Sequence, residues 1–377
     1  MIPSERAHLF TAAITHPGMT GKSNEDRYAI SAYRLDNDGN TPSVFAIVAD
    51  GVGGHKAGEV AAEIAVNTIS HAIAVCDGSK PQETLEDAIV HAGEAIQIQS
   101  TKDETQHGMG STCVCAWVIG KQLYTASVGD SRIYLLRDGN IHQTTVDHTW
   151  VQDALDHGII RPEQARNHPR SHIIRRYLGS KNAVIPDFRL KLSAAENDDE
   201  AIANQGMQLL PGDQLLLCSD GLSDLVEDHE ILDALADTEL SEALSKLVEM
   251  ANERGGHDNI TILGLSVPTQ DQSAEATVQL AKKPRPMLVP WMTCTVIVLL
   301  ALAILLLGAA SIWFVNRAES LPTPTATLNA AIPTVTFPLN PTDVFQTNTP
   351  IPSETPIQAT LTAWPTNSPE SQEMGGS

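Results

Sequence analysis

The sequence predicts an α+β domain in which sheets are covered by helices, followed by one membrane-spanning helix. Three observations carry this. Short apolar runs of strand length recur along the first two thirds of the chain, Ala-rich stretches repeat apolar residues at helical spacing, and a long charge-free run lies near the C-terminus. With 377 residues, 42% apolar and 19% charged, the chain can bury one large core of about 250 residues and still carry appendages.

In chain order, the first strand is Val44-Phe45-Ala46-Ile47-Val48, a run with no polar break. The Ala-rich segment 57–74 places Val60, Ile64, Ala65 and Ala72 at helical spacing and would start directly after Gly53-Gly54. A second helix follows over 85–99, with Leu85, Ala88, Ile89, Ala92 and Ile96 on one face. Strands are predicted over 112–119, 122–128, 133–137, 215–218 and 260–267, the last from its β-branched content. Between the last two, Ser241 is expected to cap a third helix whose stripe of Leu244, Leu247, Val248 and Ala251 stops at Gly255-Gly256.

Periodicity gives way near Val267 to a polar linker over 268–287. From Leu288 to Val315 there is no charged residue, longer than the roughly 18 to 20 residues a membrane helix needs. Trp291 and Trp313 bracket it 22 residues apart, about 33 Å of helix with an aromatic at either interface. Lys282, Lys283 and Arg285 precede the span and Arg317 alone follows it, which places residues 1 to about 286 in the cytoplasm. The first 20 residues lack the pattern of a signal peptide. Residues 316–377 repeat Pro, Thr, Ser and Asn with too few apolar groups to build a core, and are expected to form a disordered stalk outside the membrane.

Four acidic pieces stand at the edges of these elements: Asn24-Glu25-Asp26, Asp50-Gly51-Val52-Gly53-Gly54, Ser219-Asp220-Gly221 and His257-Asp258-Asn259. A buried strand that ends in Asp-Gly presents a carboxylate at its tip and lets the next carbonyl approach a ligand. Carboxylates and a carbonyl, without a His or Cys cluster at ligand spacing, suit a hard cation such as Mg or Mn rather than Zn. Asp77-Gly78 and Asp138-Gly139, away from this set, are expected to be plain turns.

Taken with Gly110-Ser111-Thr112 and Gly129-Asp130-Ser131-Arg132, the ordered motifs from about Thr15 to Val267 are similar to the bacterial branch of the metal-dependent type-2C protein Ser/Thr phosphatases. That resemblance implies a four-layer αββα sandwich of two antiparallel sheets flanked by helices, with two Mn or Mg ions in a cleft at one end. It implies that Asp50 bridges both ions, that Gly51 offers its carbonyl to one, that Asp220 and Asp258 complete the other, that Glu25 acts through water, and that Asp26 orients that edge. Asp130 either supports a third, weaker metal site, as the resemblance implies, or sits in a turn salt-bridged to Arg132. The implied reaction is direct hydrolysis by a water shared between the ions. No Cys is followed by Arg six positions later, so the thiolate phosphatase loop is absent.

Two departures from the wider family matter. Relatives often carry a phosphate-gripping Arg three residues before Asn24; here Gly21 stands there with Lys22 beside it, which supplies charge but not a bidentate fork. Eukaryotic members place a proton-donating His two residues after the first Asp, where this chain has Val52. His55 is then a substitute donor or a structural residue.

A formal net charge of −22 argues against a nucleic-acid binder, which would show a basic face. The five cysteines form no Cys-x-x-Cys pair and read as reduced, mostly buried thiols. Against the acidic background, Arg161, Arg166, Arg170, Arg175, Arg176, Lys181, Arg189 and Lys191 form a basic stretch where the family carries a flap beside the cleft. It either attracts phosphorylated substrates or pairs with acids such as Asp153 and Asp156. The expected protein is a membrane-tethered phosphatase with a monomeric catalytic domain, acting on phosphorylated cytoplasmic proteins opposite Ser/Thr kinases. The competing readings are a non-catalytic phosphoprotein-binding scaffold and a two-metal phosphoesterase for small molecules.

Overall fold

The computed structural model describes residues 1–269 apart from 36–39, 54–55, 167 and 237. The strands are β1 (Ile2–Pro3), β2 (Phe10–His16), β3 (Arg27–Arg34), β4 (Pro42–Ala49), β5 (Gly51–Val52), β6 (Gly110–Ser111), β7 (Cys113–Ile119), β8 (Gln122–Val128), β9 (Arg132–Arg137), β10 (Asn140–Gln143), β11 (Met207–Gln208), β12 (Gln214–Cys218) and β13 (Ile260–Ser266). The helices are α1 (Lys56–Val75), α2 (Pro81–Lys102), α3 (Trp150–Asp156), α4 (Asp198–Ala203), α5 (Asp220–Ser223), α6 (Asp228–Leu235) and α7 (Leu240–Glu253).

Among the described residues two large antiparallel sheets result, one ordered β1-β3-β4-β7-β8-β11 and the other β10-β9-β12-β13-β2, with a two-stranded β5-β6 ladder besides. Alternation along each strand explains why both are buried on two faces. In β4, Val44, Ala46 and Val48 point between the sheets, where they meet Ile133, Leu135, Leu215, Leu217 and Leu263. Phe45 and Ile47 of the same strand point the other way, onto Ile69 and Ile73 of α1 and Leu85 and Ile89 of α2. In β12, Leu216 and Cys218 turn outward to Ile231 of α6 and Leu244, Leu247 and Val248 of α7. The continuous apolar runs noted in the sequence are therefore strands with a core on either side, stacked as helix, sheet, sheet, helix.

The helices and strands predicted within residues 1–267 are all present, with ends displaced by a few residues. One cap differs. Helix α7 starts at Leu240, and the Glu239 carboxylate, rather than Ser241, accepts from the backbone N–H groups of Ser241 and Glu242. Asp77-Gly78 and Asp138-Gly139 lie in turns, Gly78 and Gly139 both at positive φ. Cys113, Cys115 and Cys218 are buried free thiols and Cys76 is a half-buried one. Among the described residues no helix is long and apolar enough to cross a membrane. The expected span at 288–315, the stalk at 316–377 and nearly all of the 268–287 linker lie outside the described residues.

Candidate metal centre

Antiparallel register brings the acidic pieces together. Arg27 at the start of β3 pairs with Ala49 at the end of β4, and Val48 pairs with Val114 at the start of β7. In the second sheet, Cys218 at the end of β12 pairs with Arg132 at the start of β9 and with Ile262 near the start of β13. Residues 24–26, 50, 110–112, 129–131, 219–220 and 257–259 therefore all emerge at one end of the sandwich.

Glu25, Asp50, Gly51, Asp220, Asp258 and Lys22 line one cavity of about 680 Å³. Asp50 is held by its backbone, not its carboxylate. Its N–H donates to Thr112 Oγ1 (3.1 Å), its carbonyl accepts from Thr112 N–H (2.8 Å) and Ser111 Oγ (3.0 Å), and Thr112 Oγ1 shares a hydrogen bond with Ser131 Oγ (2.7 Å). The carboxylate is thus left for a ligand. Gly51 pairs with Ser111 in the β5–β6 ladder, and a Cβ on it would lie 2.2 Å from the Gly58 carbonyl oxygen. A Cβ on Gly58 would in turn meet Glu25 Oε2 at 2.4 Å. Only glycine at both positions lets the first turns of α1 approach the Asp50-Gly51 tip and the Glu25 carboxylate.

Asn259 ties the opposite edge. Its Oδ1 accepts from Glu25 N–H (2.7 Å), and its Nδ2 donates to the carbonyls of Pro17 and Ser23. Ser219 Oγ donates to Asp26 Oδ2 (2.8 Å) and accepts from Thr261 N–H (3.0 Å). Asp26 is 3% exposed and Asp130 6%. Asp26 Oδ1, Asp130 Oδ1 and Asp220 Oδ1 are buried with no hydrogen-bond partner. A buried carboxylate oxygen left alone is costly.

The electrostatics agree. Burial raises the Asp50 and Asp220 carboxyls well above the ordinary carboxylate range, and each is pushed further by neighbouring acids, including Asp26 and Asp130. Burial moves Asp130 up to about 7, with the Asp147 charge adding to it, and Asp26 up to about 6 against the opposing hydroxyl hydrogen bonds. Orphaned buried oxygens, a crowd of acids that resist ionising together and a backbone free of side chains at Gly51 fit hard divalent cations with oxygen ligands. Asp50, the Gly51 carbonyl, Asp220 and Asp258 would hold a pair of them, with Asp130 at the side.

The structure corrects one alternative and leaves one residue aside. Arg132 does not pair with Asp130; its guanidinium forks onto Asp147 (Nη2 to Oδ2 2.7 Å) and donates to Tyr134 Oη. The register of β9 carries Arg132 away from the turn that aims Asp130 into the centre. His55 lies outside the described residues.

The basic stretch is largely engaged. Arg175 pairs with Asp153, Arg189 with Asp187 and Asp198, Arg170 stacks over Trp150 at 4.8 Å, and Arg166 donates to the carbonyls of Ser223 and Asp224. Asp156 accepts from Gln152 instead of a cation. Sequence reasoning quoted Ser111, Thr112, Ser131, Ser219 and Asn259 within the motifs but gave these hydroxyl and amide side chains no role; their hydrogen bonds to Asp50, Asp26 and Glu25 show them as props of the acids.

A model described as protein phosphatase 2C matches residues 19–261. The chain is 38% identical over 255 residues to the serine/threonine protein phosphatase PstP of Mycobacterium tuberculosis, covering 65% of this chain and 46% of that one, so it spans about half the length of that relative. It is 37% identical over 254 residues to the serine/threonine phosphatase stp of Listeria welshimeri, covering 66% of this chain and 92% of that one. Among solved structures, the catalytic domain of PstP in complex with two manganese ions superposes with a TM-score of 0.55 at 34% identity, covering 68% of this chain and 97% of that one.

Proposed function

The chain belongs to the protein phosphatase 2C family, and from that premise we propose that it is a membrane-tethered, Mn- or Mg-dependent protein phosphatase acting on phosphoserine and phosphothreonine. The observation that carries the reading is the convergence of Asp50, Asp220, Asp130 and Asp26, with buried oxygens of the last three left without partners. A pair of hard cations bound there supplies Lewis acidity and makes a water nucleophilic near neutral pH.

The chain's own residues do the rest. The Thr112–Ser131 relay and the β5–β6 ladder hold the backbone of Asp50 and Gly51 in place, and Asn259 fixes the backbone of Glu25. Lys22, exposed at the cavity rim, offers a point charge to the phosphoryl oxygens. Ile174 and Val52 line the same opening and suit the apolar part of a phosphorylated side chain.

Tethering is supported by the charge-free run 288–315 and its basic N-terminal flank. That arrangement puts the phosphatase domain in the cytoplasm, facing proteins phosphorylated by Ser/Thr kinases, with the Pro/Thr-rich tail outside.

The test is hydrolysis of a phosphothreonine peptide by the full chain in detergent, with Mn and after chelation, beside Asp220→Asn. Turnover that needs metal and falls by at least a hundredfold in the variant supports the reading. A folded, metal-replete, inactive chain would favour the scaffold.

A further inference from the structure

One buried imidazole is left over by the phosphatase reading. His148 lies between β10 and α3, with 6% of its side chain exposed, and both ring nitrogens are engaged. Nδ1 accepts from the Gly129 N–H (3.0 Å), so that nitrogen carries no proton. The proton therefore sits on Nε2, which donates to Asp187 Oδ2 (3.0 Å). Arg176 Nη1 also stands 3.2 Å from Nε2, but a guanidinium only donates, and this one has the Ile185 carbonyl as its acceptor (3.1 Å).

Asp187 is itself held in place to orient that ring. Its backbone exchanges two hydrogen bonds with Ser127 of β8 (2.9 Å each), and Arg189 forks onto its carboxylate. Burial works to raise the carboxyl, but hydrogen bonds from His148 and Arg189 outweigh it and hold Asp187 below the ordinary carboxylate range, so it stays an acceptor.

Two separate pieces of the active end hang on this residue. Gly129 has φ +105°, and a Cβ on it would lie 2.6 Å from Thr112 Cβ. It packs on the residue whose hydroxyl supports the Asp50 backbone and bonds to Ser131. The main chain of 148–150 holds the second piece. The His148 carbonyl accepts from the Arg175 N–H (2.7 Å), Thr149 bridges to Ile174, and the Trp150 N–H donates to the Ile173 carbonyl (2.9 Å). Ile174 lines the cavity shared by Asp50, Asp220 and Asp258.

We propose that His148 is a positioning residue for the reaction: its Nε2–H tautomer, set by Asp187, locks the 129–131 turn against the support of Asp50 and joins that turn to residues 173–175, one wall of the substrate opening. It acts through the Gly129 amide and the 173–175 backbone rather than on the reacting atoms. A misplacement of about 1 Å in such a frame costs on the order of a hundredfold in rate. The inference rests on the phosphatase reading for its kinetic readout alone.

Four full-length chains in detergent separate this role from packing: unsubstituted, His148→Gln, His148→Asn and Asp187→Asn. In His148→Gln the amide can donate to Asp187 but leaves the Gly129 N–H without an acceptor, whereas His148→Asn places Oδ1 where Nδ1 stood. In Asp187→Asn, Arg189 keeps the amide oxygen, so Nδ2 donates to Nε2 and drives the imidazole proton to Nδ1, against the Gly129 N–H. With Mn and a small aryl phosphate, kcat is expected to fall by about tenfold or more in His148→Gln and Asp187→Asn with KM held within about twofold, and His148→Asn is expected to recover most of the loss. Hydrogen exchange read by mass spectrometry in EDTA needs no turnover. It is expected to quicken in peptides covering 129–131 and 173–175 for His148→Gln and Asp187→Asn, and to stay unchanged over 44–48. Equal losses in His148→Gln and His148→Asn, or unsubstituted rates and exchange in His148→Gln, overturn the proposal. A folded, metal-replete but inactive unsubstituted chain would instead count against the phosphatase reading, and the exchange pattern would then decide this inference by itself.

Discussion

Replacing Asp26 by Asn is expected to stabilise the metal-free protein at neutral pH. Asp26 is buried, accepts from Ser219 Oγ and carries an unpartnered second oxygen. Its pKa is raised from 3.8 to about 6, chiefly by burial. The folded state therefore binds the proton more tightly than the unfolded chain, so stability is full below about pH 4 and falls as pH rises toward 6. At 1.36 kcal/mol per pH unit the loss from this one group is about 3 kcal/mol. Asn keeps an acceptor for Ser219 and removes the charge.

In the presence of a chelator, the variant's thermal midpoint at pH 7 should exceed that of the unsubstituted protein by roughly 6 to 12 °C, the scale for a domain of this size. At pH 4 the two should nearly coincide. Calorimetry at the two pH values in EDTA is the assay. Equal midpoints at pH 7, or the same gain at both pH values, would refute the reasoning that an ionised Asp26 strains the metal-free fold. With Mn bound, the advantage should shrink, because the cations neutralise the same cluster.

Three further outcomes are expected. Gly58→Ala places a Cβ 2.4 Å from Glu25 Oε2 and 2.6 Å from the Gly51 carbonyl oxygen, so it should cost about 1–3 kcal/mol in unfolding experiments and weaken Mn binding in a titration. Trp117 is fully buried and its Nε1 donates to Ser43 Oγ at 2.8 Å; Trp117→Ala should lower stability by about 3–5 kcal/mol, read from denaturant midpoints. Lys22→Ala should raise KM for a phosphopeptide several-fold with a smaller change in kcat, whereas Lys22→Arg should hold or lower KM, because a guanidinium can grip two phosphoryl oxygens.

Much of the fold was legible because its signals are local. The uninterrupted run 44–48 reads as a strand buried on both faces, and the structure divides its side chains between two cores. The stripe Leu244, Leu247, Val248 and Ala251 reads as one helix face, and all four are buried against the second sheet. The metal acids were legible because each ends or precedes a strand beside Gly or Asn. The Glu239 cap was not, since Ser241 has the commoner capping side chain and only the backbone path selects between them.

The sequence by itself determined which residues face the cores, where the strands end and which acids stand at those ends, because side-chain periodicity and Asp-Gly junctions act over a few residues. The tertiary structure alone decided that Asn259 holds Glu25, that Ser131 props Asp50 through Thr112, that Arg132 turns to Asp147 and that His172 meets Asp224. These are contacts between separate segments, and antiparallel register sets them: a shift of one residue in any ladder would turn each side chain to the opposite face. The raised pKa values belong to the same class, since burial and neighbouring charge exist only once the strand ends have converged.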